Sequence, residues 1–206
     1  MALSTYSDLK TTIASYLARS DLTSQIPDFI TLAENRLRRE LRTRKMLKLV
    51  SATMTANDNT LSLPADFLQL RDVHLDGDPV RPLRYLNPSV FFRNARTTDT
   101  GVPLDYTVLD AEFQFAPIPD SAYTTRMLYY AAPAYLSDSN TSNAFLANYP
   151  DALIYAALGE AEPYLMNDER LAVWAALYQR AIDSITSADD QDEYSAVPLT
   201  MTLARR

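Results

Sequence analysis

The chain has no cysteine, so disulfides, cysteine nucleophiles, cysteine–zinc sites and iron–sulfur clusters are all excluded. A reducing compartment is compatible with that. Glycine is nearly as scarce: Gly77, Gly101 and Gly159 are the only ones in 206 residues, and phosphate-cradling loops need clustered glycines for close backbone approach. No Walker or Rossmann fingerprint can be built. Histidine occurs once, as His74 between Val73 and Leu75 in a run that reads as strand, where a surface or half-buried spacer is the expected role. Neither a Ser/His/Asp elbow nor an HExxH motif accompanies it. No window approaches ~18 consecutive apolar residues, and the N-terminus lacks a basic stretch followed by an apolar one. The expectation is a soluble, non-secreted protein with no membrane partner, so Asn140-Thr141-Ser142 reads as a polar loop rather than a glycan acceptor. No catalytic, cofactor or metal site is expected.

What the chain does have is a concentrated basic stretch in an acidic protein. Six of the ten residues from Arg36 to Lys45 are Lys or Arg, although the net charge is −7. The segment from Ile26 to Lys45 reads as a helix, because Pro27 suits a first turn and Asp28 complements the helix dipole there. At about 100° per residue, Ile30, Ala33, Leu37 and Leu41 share one arc, with Arg38, Arg39 and Arg42 opposite. Between Gly159 and Glu193 there are nine acids against two arginines. Opposite charge on two surfaces would steer and register neighbouring molecules.

In chain order, Thr5 and Asp8 form a capping box for a helix carrying Leu9, Ile13 and Leu17 to about Ala18. Ser20 to Gln25 links it to the basic helix, which is expected to run to about Arg44. From Met46 the period becomes two. Strands are expected at Leu47 to Ala52, at Leu61 to Leu63 as its hairpin partner across Asn57-Asp58-Asn59, and at Phe67 to Asp76. Asp76-Gly77 signals a tight turn, with a return strand through Val80, Leu83 and Tyr85. A brief helix follows Asn87-Pro88. Leu104 to Leu109, Glu112 to Ala116 and Thr124 to Tyr130 complete a module of six or seven strands. Tyr123, Tyr129, Tyr130 and Tyr135 cluster near its end, where packing across strands with the hydroxyl at the rim is the ordinary role and an interaction surface the sharper one. After a loop from Ser137 to Asn143, helical periodicity resumes at Asn148, with Pro163 kinking or ending that helix. Asp168 is expected to cap a final helix with Leu171, Trp174, Tyr178, Ala181 and Ile185 on its core face. The acids from Asp189 to Glu193 oppose the dipole, so fraying is expected by about Ala188, with Tyr194 to Arg206 an extended tail.

The fold class is therefore α+β. Residues 1–45 and 144–190 make a helical bundle, 46–136 an inserted all-β module, and 191–206 a C-terminal tail. With no Gly/Ser linker, the insertion should be docked rigidly.

Several phrases together resemble the head-to-tail adaptor (connector ring) proteins of tailed bacteriophages: IPDFITLAENRLRRELR, the Leu63-Pro64-Ala65-Asp66-Phe67 turn, Ala116-Pro117-Ile118-Pro119, Leu128-Tyr129-Tyr130, and NYPDALIYAALGEAEPYLMNDERLAVWAALYQRAI. The likeness runs from about Tyr6 to about Ile185. It implies a non-enzymatic structural virion protein of the neck, forming a homo-oligomeric ring, dodecameric in the better-known relatives. The ring would sit beneath the portal, contact a downstream tail or nozzle protein and surround the genomic DNA during ejection. Assembly would take place in the host cytoplasm. It also casts the tail, with Tyr194, Arg205 and Arg206, in portal or neighbour docking; with the basic residues Arg38, Arg39, Arg42, Arg44 and Lys45, these are the partner-binding residues expected.

For the arginines, three readings stand side by side: a solvated helix face with Glu34 pairing to Arg38, a docking surface for protein, and contact with DNA. The last would make the chain a sequence-independent nucleic-acid binder. An enzyme acting on carbohydrate through paired carboxylates, such as Asp105 and Glu112 across a hairpin, is a further alternative.

Overall fold

A computed structural model describes residues 3–94, 97–165 and 169–194, and its architecture is α+β, with helices at both ends of the chain and strands between them. The chain divides into two compact units, Met1–Lys45 with Pro133–Arg206, and Met46–Ala132.

The helical unit begins with α1 (Tyr6–Leu17), opened by a reciprocal cap: Thr5 Oγ1 accepts from the Asp8 amide at 3.2 Å, and Asp8 accepts from the Thr5 amide at 3.0 Å. Tyr6, Leu9, Ile13 and Leu17 are its buried face, and Ala18 closes it in the left-handed region at φ 53°. Next, α2 (Ile26–Glu40) has proline in its first turn and buries Ile26, Phe29, Ile30, Ala33, Glu34 and Leu37. It stops at Glu40, short of the expected Arg44. Leu41 turns to extended backbone (φ −93°, ψ 137°), and Leu41 and Thr43 are both 1% exposed. Burying every second residue is a strand's periodicity, which a continuing helix could not satisfy. A 3-10 turn, Arg44–Met46, follows. Only Arg38 and Arg39 of the expected site residues therefore lie on the helix.

In the strand unit, β1 (Leu47–Thr53) does not form a hairpin with β2 (Thr60–Ser62). Between them Met54, 1% exposed, drops into the core, and its amide donates to the Tyr123 carbonyl at 2.8 Å. The chain thereby crosses from one sheet to the other. β3 (Phe67–Leu75) follows. Asp76-Gly77 is not a tight turn with positive φ: no glycine has positive φ, and residues 76–80 form a longer loop before β4 (Arg81–Pro82) and β5 (Arg84–Tyr85). α3 (Pro88–Asn94) and β6 (Thr100–Gly101) lead to β7 (Asp105–Leu109) and β8 (Glu112–Ala116). The tight turn of the module lies between these two, where Leu109 faces Glu112 and Asp110 takes φ 57°. β9 (Ile118–Pro119) and β10 (Thr124–Ala131) complete it.

One sheet has the order β1-β10-β3-β4 and the other β2-β8-β7-β5, with β6 and β9 as a separate pair. β10 is flanked on both sides, antiparallel to β1 from Leu47↔Tyr130 to Thr53↔Thr124 and to β3 with two register shifts. Val73, Leu75, Tyr106, Phe113, Phe115, Met127 and Tyr129 fill the space between the sheets. Tyr129 Oη donates to Asp66 Oδ1 at 2.8 Å, and Lys48 Nζ donates to Asp66 Oδ2 at 2.7 Å. Burial alone would raise the Asp66 carboxyl, but these bonds hold it below its ordinary value.

The helical unit resumes at Pro133. α4 (Ala144–Asn148) was not anticipated; Asn143 caps it by accepting from the Leu146 amide at 3.0 Å. α5 (Pro150–Glu160) packs on α2 and buries Ala152, Leu153, Ala156, Ala157 and Leu158. It ends before Pro163, which stands in the first turn of α6 (Glu162–Leu165). The expected cap Asp168 lies outside the described residues. α7 (Arg170–Tyr194) packs on α5 and buries Trp174, Tyr178 and Ala181. It does not fray at Ala188, and Tyr194 is helical rather than part of an extended tail. The acids at its end find an opposing cation in Arg44, which offsets the unfavourable dipole.

Candidate functional site

The basic residues meet different surroundings. Arg38 is half-buried: Nη2 donates to the Pro133 carbonyl, and Cζ sits 3.4 Å from the Tyr135 ring centroid. Its Nε is buried without a hydrogen-bond partner. One turn earlier Glu34 is fully buried, so it is not part of a solvated face. It accepts from the Leu136 amide at 3.1 Å and from Asn143 Nδ2 at 2.6 Å. Asn35 Oδ1 accepts from Tyr135 Oη. Three positions of α2 thus clamp residues 133–143, with Asn143 serving as cap and as clamp. Burial raises the Glu34 carboxyl above its ordinary value, against the lowering pull of the Leu136 amide, the Asn143 amide and the Arg38 charge.

Arg44 is engaged by the end of α7. Its amide donates to Asp189 Oδ1 at 3.0 Å, Nη2 pairs with Asp192 Oδ2 at 2.9 Å, and Nη1 donates to the Asp192 carbonyl at 2.9 Å. Arg36 pairs with Glu40 at 3.1 Å and stacks 4.0 Å from the Tyr178 centroid, while Tyr178 Oη donates to Glu40. Burial, then the Glu40 hydrogen bond and charge, push the Tyr178 phenol upward. Arg42 Nη1 donates to the Arg38 and Leu41 carbonyls at 2.7 and 2.6 Å. The basic and acidic stretches read as surfaces for neighbouring molecules therefore meet in part within one subunit.

Two of the expected residues face outward. Arg39 is exposed, with no hydrogen-bond or ion-pair partner among the described residues, and exposed Lys45 donates to Asn148 Oδ1 at 2.9 Å. The Tyr194 side chain, Arg205 and Arg206 lie outside the described residues. Exposed apolar side chains add to the surface of this unit: Tyr16, Leu32, Tyr164 and Val173 are 46–57% exposed. Sequence reasoning passed over the Glu34–Asn143 clamp. The one available signal was Asn143, a cap residue directly before the apolar Ala144-Phe145-Leu146.

The carboxylates considered for carbohydrate chemistry are not brought together. Asp105 faces Ala116 and Glu112 faces Leu109, at opposite ends of the β7–β8 hairpin, and Asp105 accepts from Arg84 at 2.7 Å. His74 is half-buried beside Asp72, with Nδ1 3.2 Å from its carboxylate. No helix among the described residues is long and apolar enough to cross a membrane.

No curated protein matches the chain. A family described as SU10 adaptor protein matches residues 4–202, nearly the whole chain through both units. That span, joined to a strand module inserted between terminal helices, identifies the chain as a member of the SU10 adaptor family of phage head-to-tail adaptor proteins.

Proposed function

We propose that copies of this chain form a closed ring beneath the portal, joining capsid to tail at the virion neck and leaving a path for the genomic DNA. The family membership carries this reading. Twelve subunits is the stoichiometry carried over from better-known adaptors. The partners are the same chain, the portal protein and a downstream tail or nozzle protein, none of them a membrane component. Assembly takes place in the host cytoplasm, before DNA ejection. The outward-facing Arg39 and Lys45, the exposed apolar side chains and the C-terminal segment with Arg205 and Arg206 are the docking elements.

The internal engagement of Arg38 and Arg44 favours protein docking over DNA grip. A duplex binder needs its cations free to neutralise phosphate, and its affinity falls steeply with salt. Co-sedimentation of the protein with its portal ring is the test, run beside a duplex titration at two salt concentrations. Stoichiometric portal binding with negligible duplex affinity supports the adaptor ring. Salt-sensitive duplex binding without portal association would overturn it.

A further inference from the structure

The two four-stranded sheets of the strand unit have four outer strands, and three of these are blunted. β4 carries Pro82, β5 is two residues long, and in β2 the Thr60 amide is taken by Asp58 Oδ1 at 2.9 Å. β1 has no such protection. It runs seven residues without proline, glycine or a register shift against β10, and its one charge, Lys48, is turned to Asp66 of the same unit at 2.7 Å.

The hydrogen bonds of β10 fix which groups of β1 are open. The Asp76 amide donates to the Thr124 carbonyl and the Met54 amide to the Tyr123 carbonyl, so Thr124, Arg126 and Leu128 address β3, and Tyr123 and its alternates address β1. Alternation in an antiparallel pair then directs Lys48, Val50 and Ala52 towards β10, and Leu47, Leu49, Ser51 and Thr53 away from it. The backbone groups of those four have no hydrogen-bond partner among the described residues. Val50 and Ala52 pack against the core, while Leu49, Ser51 and Thr53 are exposed on the other face, Leu49 by 58%. A long open edge bearing an exposed leucine is a template for another strand.

The strand that fits it is a second β1. Placed antiparallel about Val50, two copies set Leu49 opposite Ser51 and Leu47 opposite Thr53, which pairs every open amide and carbonyl of both strands. Moving the centre to Leu49 or to Ser51 would leave Thr53 or Leu47 without a partner in the strand. Lys48 falls opposite Ala52, so like charges are not opposed, and each Leu49 lies diagonal to its counterpart, within reach across the junction.

We propose that the free chain associates reversibly as a two-fold pair through β1, joining two four-stranded sheets into one. An isologous contact of this kind pairs two copies and stops, whereas a ring needs two different surfaces, so the pair stands apart from the ring reading above. Its consequence for assembly rests on that reading. Subunits related by one ring axis share no two-fold, so the pair must part as the chain joins the portal.

Sedimentation of the whole chain over a range of concentrations is expected to show a monomer–dimer equilibrium that Leu49→Lys weakens at least tenfold, with melting unchanged because this side chain is exposed. A monomer at every concentration, or a dimer that Leu49→Lys leaves intact, would overturn the proposal. Because the chain has no cysteine, single introduced ones read the register. At the two-fold, Val50 and its counterpart form a non-hydrogen-bonded pair with Cα atoms about 4.5 Å apart, close enough for a disulfide. Val50→Cys should oxidise to a linked dimer, and Ala52→Cys, on the same face but opposite Lys48, should not. Equal linking by both would contradict the register. The linked Val50→Cys dimer should fail to load onto the portal ring until it is reduced, and loading of the linked form would contradict the parting. If neither form loads while the dimer forms, the ring reading fails and the pair stands.

Discussion

Arg44 and Asp189, 145 residues apart, hold the two ends of the helical unit together: the Arg44 amide and guanidinium both address the Asp189 carboxylate. Asp189→Ala removes the acceptor of a main-chain amide and the counter-charge at the end of α7. The expected loss is about 1 kcal/mol in urea unfolding, with partial solvent exposure keeping it small. Hydrogen exchange should rise selectively from residue 188 to 194. Unchanged protection there would contradict the explanation for the length of α7.

Glu34 gives a pH signature. A carboxyl raised in the native state stabilises the fold fully below its ordinary value of 4.5, and that contribution is lost as pH rises through the native value. The stability of the parent relative to Glu34→Gln should therefore fall as pH rises above 4.5. A difference that is flat with pH would show that burial does not control this group. Glu34→Ala, which strands the Leu136 amide and Asn143, should lose about 2 to 3 kcal/mol.

Arg38 stacks on Tyr135 while donating to the Pro133 carbonyl, which uses the planar guanidinium as well as its charge. Arg38→Lys keeps the charge and loses the stack, so it should lower stability by about 1 kcal/mol. A melting temperature equal to that of the parent would mean the stack contributes nothing.

Phe113 is fully buried and contacts Phe67, Tyr106 and Phe115. Phe113→Ala should cost about 3 to 5 kcal/mol by calorimetry or denaturant unfolding. A loss under about 1 kcal/mol would mean the strand unit collapses around the gap.

Local signals were legible in the sequence where they are self-contained. The Thr5–Asp8 cap, the first-turn Pro27, the interruption at Pro163 and the alternating Phe113 and Phe115 each specify their element through nearest neighbours. What alternation cannot specify is which strand lies alongside. β1 has the periodicity of a hairpin partner for β2, yet pairs with β10, more than seventy residues away, because Met54 is buried between them. Charge is equally ambiguous when read along the chain. Arg38, Arg39, Arg42, Arg44 and Lys45 look alike in sequence, but extended backbone at Leu41 sends them to different surroundings, and Arg44 meets acids that lie in another helix.

Arg39 and Lys45 carry the outward charge of this stretch. Arg39→Glu with Lys45→Glu should leave melting unchanged and weaken portal or neighbour association at least tenfold, with the deficit shrinking as salt rises. Unaltered association would remove these two residues from the docking surface.

The most direct test is electron microscopy of the protein mixed with its portal ring. A second closed collar of this chain, stacked coaxially on the portal with an open central channel, is the expected result. A portal ring that remains bare, with the protein still monomeric beside it, would contradict the account.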